Sequence, residues 1–252
     1  MSENAFGQSA GFWDSFSSAY SDDAQGDIPD KVVDILFDSG ALDPQDAVLE
    51  VGSGPGTYSV RLAPRLRVLT CMDVSSSMLD ILFSRLSGMD GVRVERFLKD
   101  WNEYTPRKGY HACFAALLPN ASSEESLLRM EGAAKKRCSL VTWEVNQREA
   151  LTLRIRDELG LDWPKGIHDP CAVGRWLKDN DRSFRTYRVR TSIDRTVPLD
   201  FVISKEVSRF SSAGYDDDIA EMIKGFVADD IDGDMVRYRA DNSVILYTWD
   251  VP

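Results

Sequence analysis

Histidine is scarce in this sequence: of 252 residues only two, His111 and His168, are histidines, and only four are cysteines. Cys71, Cys113, Cys138 and Cys171 stand far apart. A metal centre needs clustered ligands such as Cys-x-x-Cys, so no metal is expected. The first three cysteines lie inside apolar runs and read as small buried hydrophobes, which suits a reducing compartment. A continuous apolar stretch of about 18 residues is also lacking, so no membrane span is expected. The first residues, 1–14, carry neither a basic nor an apolar segment, the two marks of a secretory signal, and the expected location is the cytoplasm. Basic charge is short as well, with 30 Lys and Arg against 41 Asp and Glu and a formal net charge of −11. That average field repels polyanions, so no nucleic-acid partner is expected.

What is present is an ordinary globular composition, 43 % hydrophobic and 28 % charged, in a chain long enough to bury a full sheet-and-helix core. Short apolar runs at Ala47–Val51, Val68–Val74, Val92–Leu98, Tyr110–Leu118 and Ser139–Trp143 read as strands. Between them lie segments of helical period, one opened by Ser75. Strands alternating with helices predict an α/β fold with a doubly wound, mostly parallel sheet, and the continuous apolar strands agree because both faces of such a sheet are covered.

Four regions follow from the pattern. Residues 1–28 are a helical cap segment, with Phe12, Trp13, Phe16 and Tyr20 at helical spacing. Residues 29–146 form the core. Residues 147–181 hold two predicted helices and no strand, an insertion over the active-site face. Residues 182–252 return to the core sheet, with helices at Leu199–Phe210 and Asp217–Val227. Two further strands, Met235–Arg239 and Val244–Trp249, are predicted to join at a turn over Asp241-Asn242-Ser243.

The chemistry concentrates where the first strand runs into Gly52-Ser53-Gly54-Pro55-Gly56 and a helix follows. Glycines let the backbone turn tightly and let a ligand approach closely, and the first position of a doubly wound sheet is where nucleotides bind. A dinucleotide fingerprint requires a third glycine where Thr57 stands, and Pro55 removes a donor N–H that pyrophosphate would use. Downstream, Asp73 ends the second strand, where a carboxylate can accept ribose hydroxyl protons. Asp100-Trp101 follows the third, where an adenine could be received. Glu50, inside an apolar strand, needs a partner or structured water.

These segments resemble the motifs of class I S-adenosylmethionine (SAM)-dependent methyltransferases, small-molecule branch. Residues 48–57 are similar to the family's first motif, 72–79 to its second and 99–101 to its third, while 11–20 resembles its N-terminal cap. The resemblance implies a Rossmann-like sheet of seven strands, the last antiparallel, with Val244–Trp249 in that place. It implies SAM as cofactor and assigns roles. Gly52, Gly54 and Gly56 line the amino-acid half, and Glu50 organises the turn. Asp73 binds the ribose, Met78 packs near the adenine, and Asp100 with Trp101 holds the adenine edge. Leu117 faces the cofactor and Tyr20 covers its methionine end.

Methyl transfer is an in-line displacement in which the protein chiefly aligns the partners, and a base is needed only if the nucleophile must lose a proton. No catalytic residue is therefore assigned. His168 and Tyr20 are the candidates, while His111, at the start of a strand, reads as structural. Asn120, Trp143 and Glu144, at the carboxyl edge, are candidates for contact with a small-molecule acceptor. The alternative is a SAM- or nucleoside-binding sensor or assembly protein without catalysis. The arginines and lysine of 175–190 read as a solvated face paired with carboxylates. A homodimer is compatible with the sequence.

Overall fold

Period-two alternation organises the centre of the molecule. In β1 (Ala47–Val51) it sends Val48 to one face and Leu49 and Val51 to the other, so that two separate apolar clusters form on opposite sides of one sheet. The computed structural model describes residues 9–17, 25–89, 91–145, 148–161, 169–210 and 216–252. Tyr20 and His168 lie outside them.

β1 pairs in parallel with β2 (Val68–Asp73) on one side and with β4 (Tyr110–Ala116) on the other. β3 (Val94–Leu98) joins β2, and β5 (Ala134–Val145) joins β4, again in parallel. β8 (Met235–Asp250) runs antiparallel between β5 and β6 (Phe184–Pro198). The order is β3-β2-β1-β4-β5-β8-β6. One cluster takes α2 (Ile28–Asp38), α3 (Ser59–Leu62) and α4 (Ser76–Leu86) onto the first face. The other takes α5 (Glu124–Ala133) and α7 (Ala172–Asp179) onto the second. The fold is thus the doubly wound, Rossmann-like sheet that the alternation predicts. Cys71, Cys113 and Cys138 are fully buried in it, whereas Cys171 is exposed.

Two expectations are corrected. Among the described residues the sheet has eight strands rather than seven, because the two-residue β7 (Ile231–Asp232) pairs with β8 outside the main path. The two strands expected at 235–239 and 244–249 are one. β8 passes through Asp241-Asn242-Ser243 without turning, since β6 offers it an unbroken antiparallel partner from Phe184 opposite Trp249 to Pro198 opposite Met235. Asn242 and Ser243, polar enough to suggest a turn, are buried in that ladder.

The pairing also creates a projecting arm. Ser243 is matched by Val145 and by Arg190, and β5 ends there. Beyond it the eight pairs from Thr191–Asn242 to Pro198–Met235 continue as a ribbon past the carboxyl edge of the parallel strands, a reach of roughly 25 Å at the usual rise per residue. The ribbon carries α8 (Leu199–Phe210) and α9 (Asp216–Phe226), which pack with α6 (Arg148–Glu158) around Ile155, Phe210, Ile219 and Ile223.

The 147–181 block is therefore not one insertion. Its first helix, α6, joins α8 and α9, while its second, α7, belongs to the core. Val173 and Leu177 of α7 are buried against β8. Gly174 allows that approach, because a Cβ there would meet the Tyr247 ring at 3.2 Å. The Tyr247 hydroxyl donates to the Pro170 carbonyl at 2.7 Å. The helical unit beyond the carboxyl edge draws as much on 199–226 as on 148–158.

Candidate functional site

In an open sheet of this order, β1 is the strand whose two neighbours are reached by connections of opposite direction, and the crevice outside its carboxyl end is where ligands bind. A cleft open to solvent lies there. Its floor is the turn after β1, its walls the segments after β2, β3 and β4, with Trp13 and Gln25 from the N-terminal region closing one side.

The turn is built by its glycines. Gly52 and Gly54 hold φ of +66° and +52°, a region L-residues avoid, and a Cβ on Gly52 would fall 2.5 Å from the Leu118 side chain. The Ser53 N–H donates to the Met72 carbonyl at 3.0 Å, laying the turn over the end of β2. Gly56 has a different part. It does not line the cleft but lets α4 close in, since a Cβ there would meet Leu82 at 2.9 Å.

Glu50 and Asp73 face the same side of the sheet, alternating with the apolar residues. Glu50 is 2 % exposed, accepts a hydrogen bond from the Ser59 hydroxyl of α3 at 2.6 Å, and lies opposite Cys71 in the ladder. Burial pushes its carboxyl up to about 8, against the opposing pull of the Ser59 hydrogen bond. Asp73 accepts from the N–H groups of Gly54 at 2.8 Å and Ser75 at 2.9 Å, so it braces the turn while also lining the cleft, and each oxygen keeps capacity for a further donor. Burial holds its carboxyl above the ordinary aspartate value despite these donors.

The start of α4 is tied to the N-terminal helix α1 (Ala10–Phe16). Ser75 caps α4 by accepting from the Met78 N–H at 3.1 Å and donates its own hydroxyl to Asp14 at 2.6 Å. Asp14 also accepts the Ser77 N–H at 3.1 Å, and these bonds hold its carboxyl below the usual range. Replacing Ser75 with Ala removes both the cap and the tether, and is expected to cost about 1–2 kcal/mol, read as a lower urea midpoint.

After β3, Asp100 accepts the Asn102 N–H at 2.7 Å and opens a short 3₁₀ turn at the cleft. Trp101 is mostly turned into the core. Its indole N–H donates to Ser126 at 2.8 Å and its ring stacks on Tyr104 at 5.7 Å, leaving only part of it on the cleft. After β4, Leu117 and Asn120 adopt φ of +54° and +58°. Such conformations cost energy in residues with a Cβ and gather at binding sites.

Most of the residues expected at the site therefore come together: Glu50, Gly52, Gly54, Asp73, Met78, Asp100, Trp101, Leu117 and Asn120 line the cleft. Trp143 and Glu144 do not line it. Trp143 packs against the first core cluster, and Glu144 is held by Arg188 at 2.5 Å and by the Ser243 hydroxyl at 2.9 Å. His111 sits at the opposite edge, where its Nδ1 accepts the Ala47 N–H at 2.9 Å. Of the basic run, Arg175, Arg182 and Arg188 pair with Asp169, Glu131 and Glu144. Sequence reasoning missed Gln25, Asn102 and Leu118 as lining residues. Leu118 approaches Gly52 only through the fold. Gln25 lies in a polar stretch with no period to mark it.

The charge of the cleft limits its ligand. Among its described lining residues Asp73 and Asp100 are acids beside Glu50, whose carboxyl burial holds at about 8, and Lys99 is the one base and pairs with Glu103 at 3.1 Å. Such a surface favours a cation and opposes a pyrophosphate.

Solved structures share this fold. The magnesium protoporphyrin IX methyltransferase of Synechocystis PCC 6803 with bound SAH superposes with a TM-score of 0.58 at 16 % identity, covering 96 % of this chain and 94 % of that one. A candidate methyltransferase from Bacillus halodurans C-125 gives 0.57 at 14 %, covering 88 % and 99 %. The YcgJ protein of Bacillus subtilis gives 0.53 at 12 %, covering 88 % and 98 %. No protein-family model and no curated protein matches the sequence. At these identities the likeness is one of fold.

Proposed function

We propose that this chain is a SAM-dependent methyltransferase acting on a small molecule. The observation that carries the reading is the acidic, glycine-floored cleft at the carboxyl end of β1, with Asp73 and Asp100 placed after β2 and β3. SAM brings a sulfonium and an ammonium against a single carboxylate, so it enters as a net cation. A nicotinamide or flavin dinucleotide would bring phosphates to a turn that Pro55 has stripped of a donor.

SAM, when bound, supplies a methyl group activated by the sulfonium. The chain's own part is to hold and orient. Asp73 receives the ribose hydroxyls, Asp100 and the 3₁₀ turn after it receive the adenine edge, and Met78 packs beside the base. Gly52 and Gly54 let the amino-acid half approach the backbone. Leu117 and Leu118 wall the far side and exclude water. The small-molecule acceptor is supported by the helical unit α6–α8–α9 beyond the same sheet edge, and by a net charge of −11, which disfavours an RNA acceptor.

Calorimetry with SAM, S-adenosylhomocysteine (SAH) and NAD⁺ tests the cofactor. Heat of binding is expected for the first two and none for the third, and silence from SAM and SAH at millimolar levels would sink the proposal. Methyl-labelled SAM incubated with protein and a metabolite extract then tests transfer. Label is expected in a small product; label that stays on SAM favours a sensor without catalysis, and label in macromolecules overturns the acceptor class.

A further inference from the structure

We infer that Gln25 reads the amino-acid end of the cofactor, its side-chain amide oxygen accepting a hydrogen bond from the ammonium group of SAM. This rests on the reading of the cleft as a SAM site. Gln25 lines the cleft, is 5 % exposed, and its Oε1 has no hydrogen-bond donor among the described residues. A buried carbonyl oxygen without a donor is costly, and sites that carry one are commonly completed by a ligand or water. The last torsion of a glutamine is broad and two-fold, so the oxygen can turn toward a donor placed in the cleft that Gln25 lines.

The backbone beneath this side chain is pinned. Gly26, at φ +50°, seats against Thr191 of β6 so closely that a Cβ would fall 2.5 Å from its hydroxyl oxygen. Lys31 donates to the Arg190 carbonyl at 2.9 Å. Gln25 therefore hangs from the β6 side of the sheet, whereas Asp73 and Asp100 stand after β2 and β3 on the other side of β1. A cofactor whose ribose and adenine meet those two carboxylates extends across the turn after β1 with its amino-acid end toward Gln25. Of the two charged groups at that end, the ammonium only donates and the carboxylate only accepts. The orphan atom is an acceptor, so the ammonium is its match. Ser53 Oγ, also buried and without a partner among the described residues, serves either group and does not discriminate.

The experiment compares SAH with its analogue lacking the amino group, by calorimetry, on wild type, Gln25→Met and Gln25→Glu. Gln25→Met keeps the length and removes the amide; it is expected to weaken SAH by about tenfold to a hundredfold while the deaminated analogue changes by less than about threefold. Gln25→Glu keeps an acceptor and is expected to retain SAH. Because the ratio of the two ligands is taken on the same protein, a partial folding defect cancels. An unchanged ratio in Gln25→Met overturns the inference. Failure of wild type to bind SAH overturns the SAM reading itself, and this inference with it.

Discussion

Replacing Asp73 with Ala is expected to weaken SAM and SAH binding by about a hundredfold to ten-thousandfold, the loss of two charge-assisted hydrogen bonds to one ribose. No other described carboxylate can substitute. Glu50 is engaged by Ser59 beneath the turn, and Asp100 lies after the next strand and caps its own 3₁₀ turn. The same change also withdraws the acceptor for the Gly54 and Ser75 N–H groups, so the glycine turn loosens as well. Two measurements separate these effects. Calorimetry gives the affinity, and the thermal midpoint without ligand gives the cost to the turn. An affinity within threefold of wild type would remove Asp73 from the site.

Replacing Glu50 with Gln is expected to make the ligand-free protein more stable, by an amount that grows as pH rises above about 4.5 and levels off above about 8. The Glu50 carboxyl is held at about 8 against an ordinary 4.5, chiefly by burial. Below 4.5 it is protonated whether the chain is folded or not. From there to about 8 the unfolded chain gains by ionising while the folded chain keeps its proton, so stability falls as pH rises; above about 8 the loss is complete. Its full size is on the order of 5 kcal/mol. Glutamine keeps the shape and the bond from Ser59 but cannot ionise. Unfolding free energies from urea titrations should therefore nearly coincide for the two proteins near about pH 4.5 and separate by several kcal/mol near about pH 9, with the variant higher. A constant gap across that range would contradict it. The cofactor adds a second signature. A cation in the cleft favours the ionised carboxyl, so SAM binding near neutrality should expel a proton from wild type and none from the variant. Calorimetry in buffers of differing ionisation heat counts that proton.

Features that depend on neighbours in sequence were legible in it. The glycine turn, Asp73 and Asp100 each stand where an apolar run stops, and a strand's end is written in its own residues. The Ser75 cap and the buried cysteines follow the same logic. What escaped depends on residues far apart. Asp241, Asn242 and Ser243 have turn chemistry, and only their partners in β6, Ser192, Thr191 and Arg190, keep them extended. α6 and α7 follow one another in sequence, and which surface each meets is decided by Ile155 against α9 and by Gly174 against Tyr247. Trp143 and Glu144 were placed at the carboxyl edge by their position at the end of a strand. Arg188, two strands away, holds Glu144 out of the cleft lining. Gln25 reaches the cleft because Gly26 fits against Thr191, a contact no local pattern announces.

The ribbon that leaves the sheet after Ser243 sets a rule for how this protein can change. Its two strands are one continuous ladder from the buried core to Pro198 and Met235. Loss of a single residue from either strand would turn every side chain beyond it to the opposite face. Loss of two matched pairs at a time would keep the faces and draw the α8–α9 unit inward by about 7 Å for each such step. Variation in arm length among related chains should therefore come in even, matched steps, and an odd step should carry a bulge beside it.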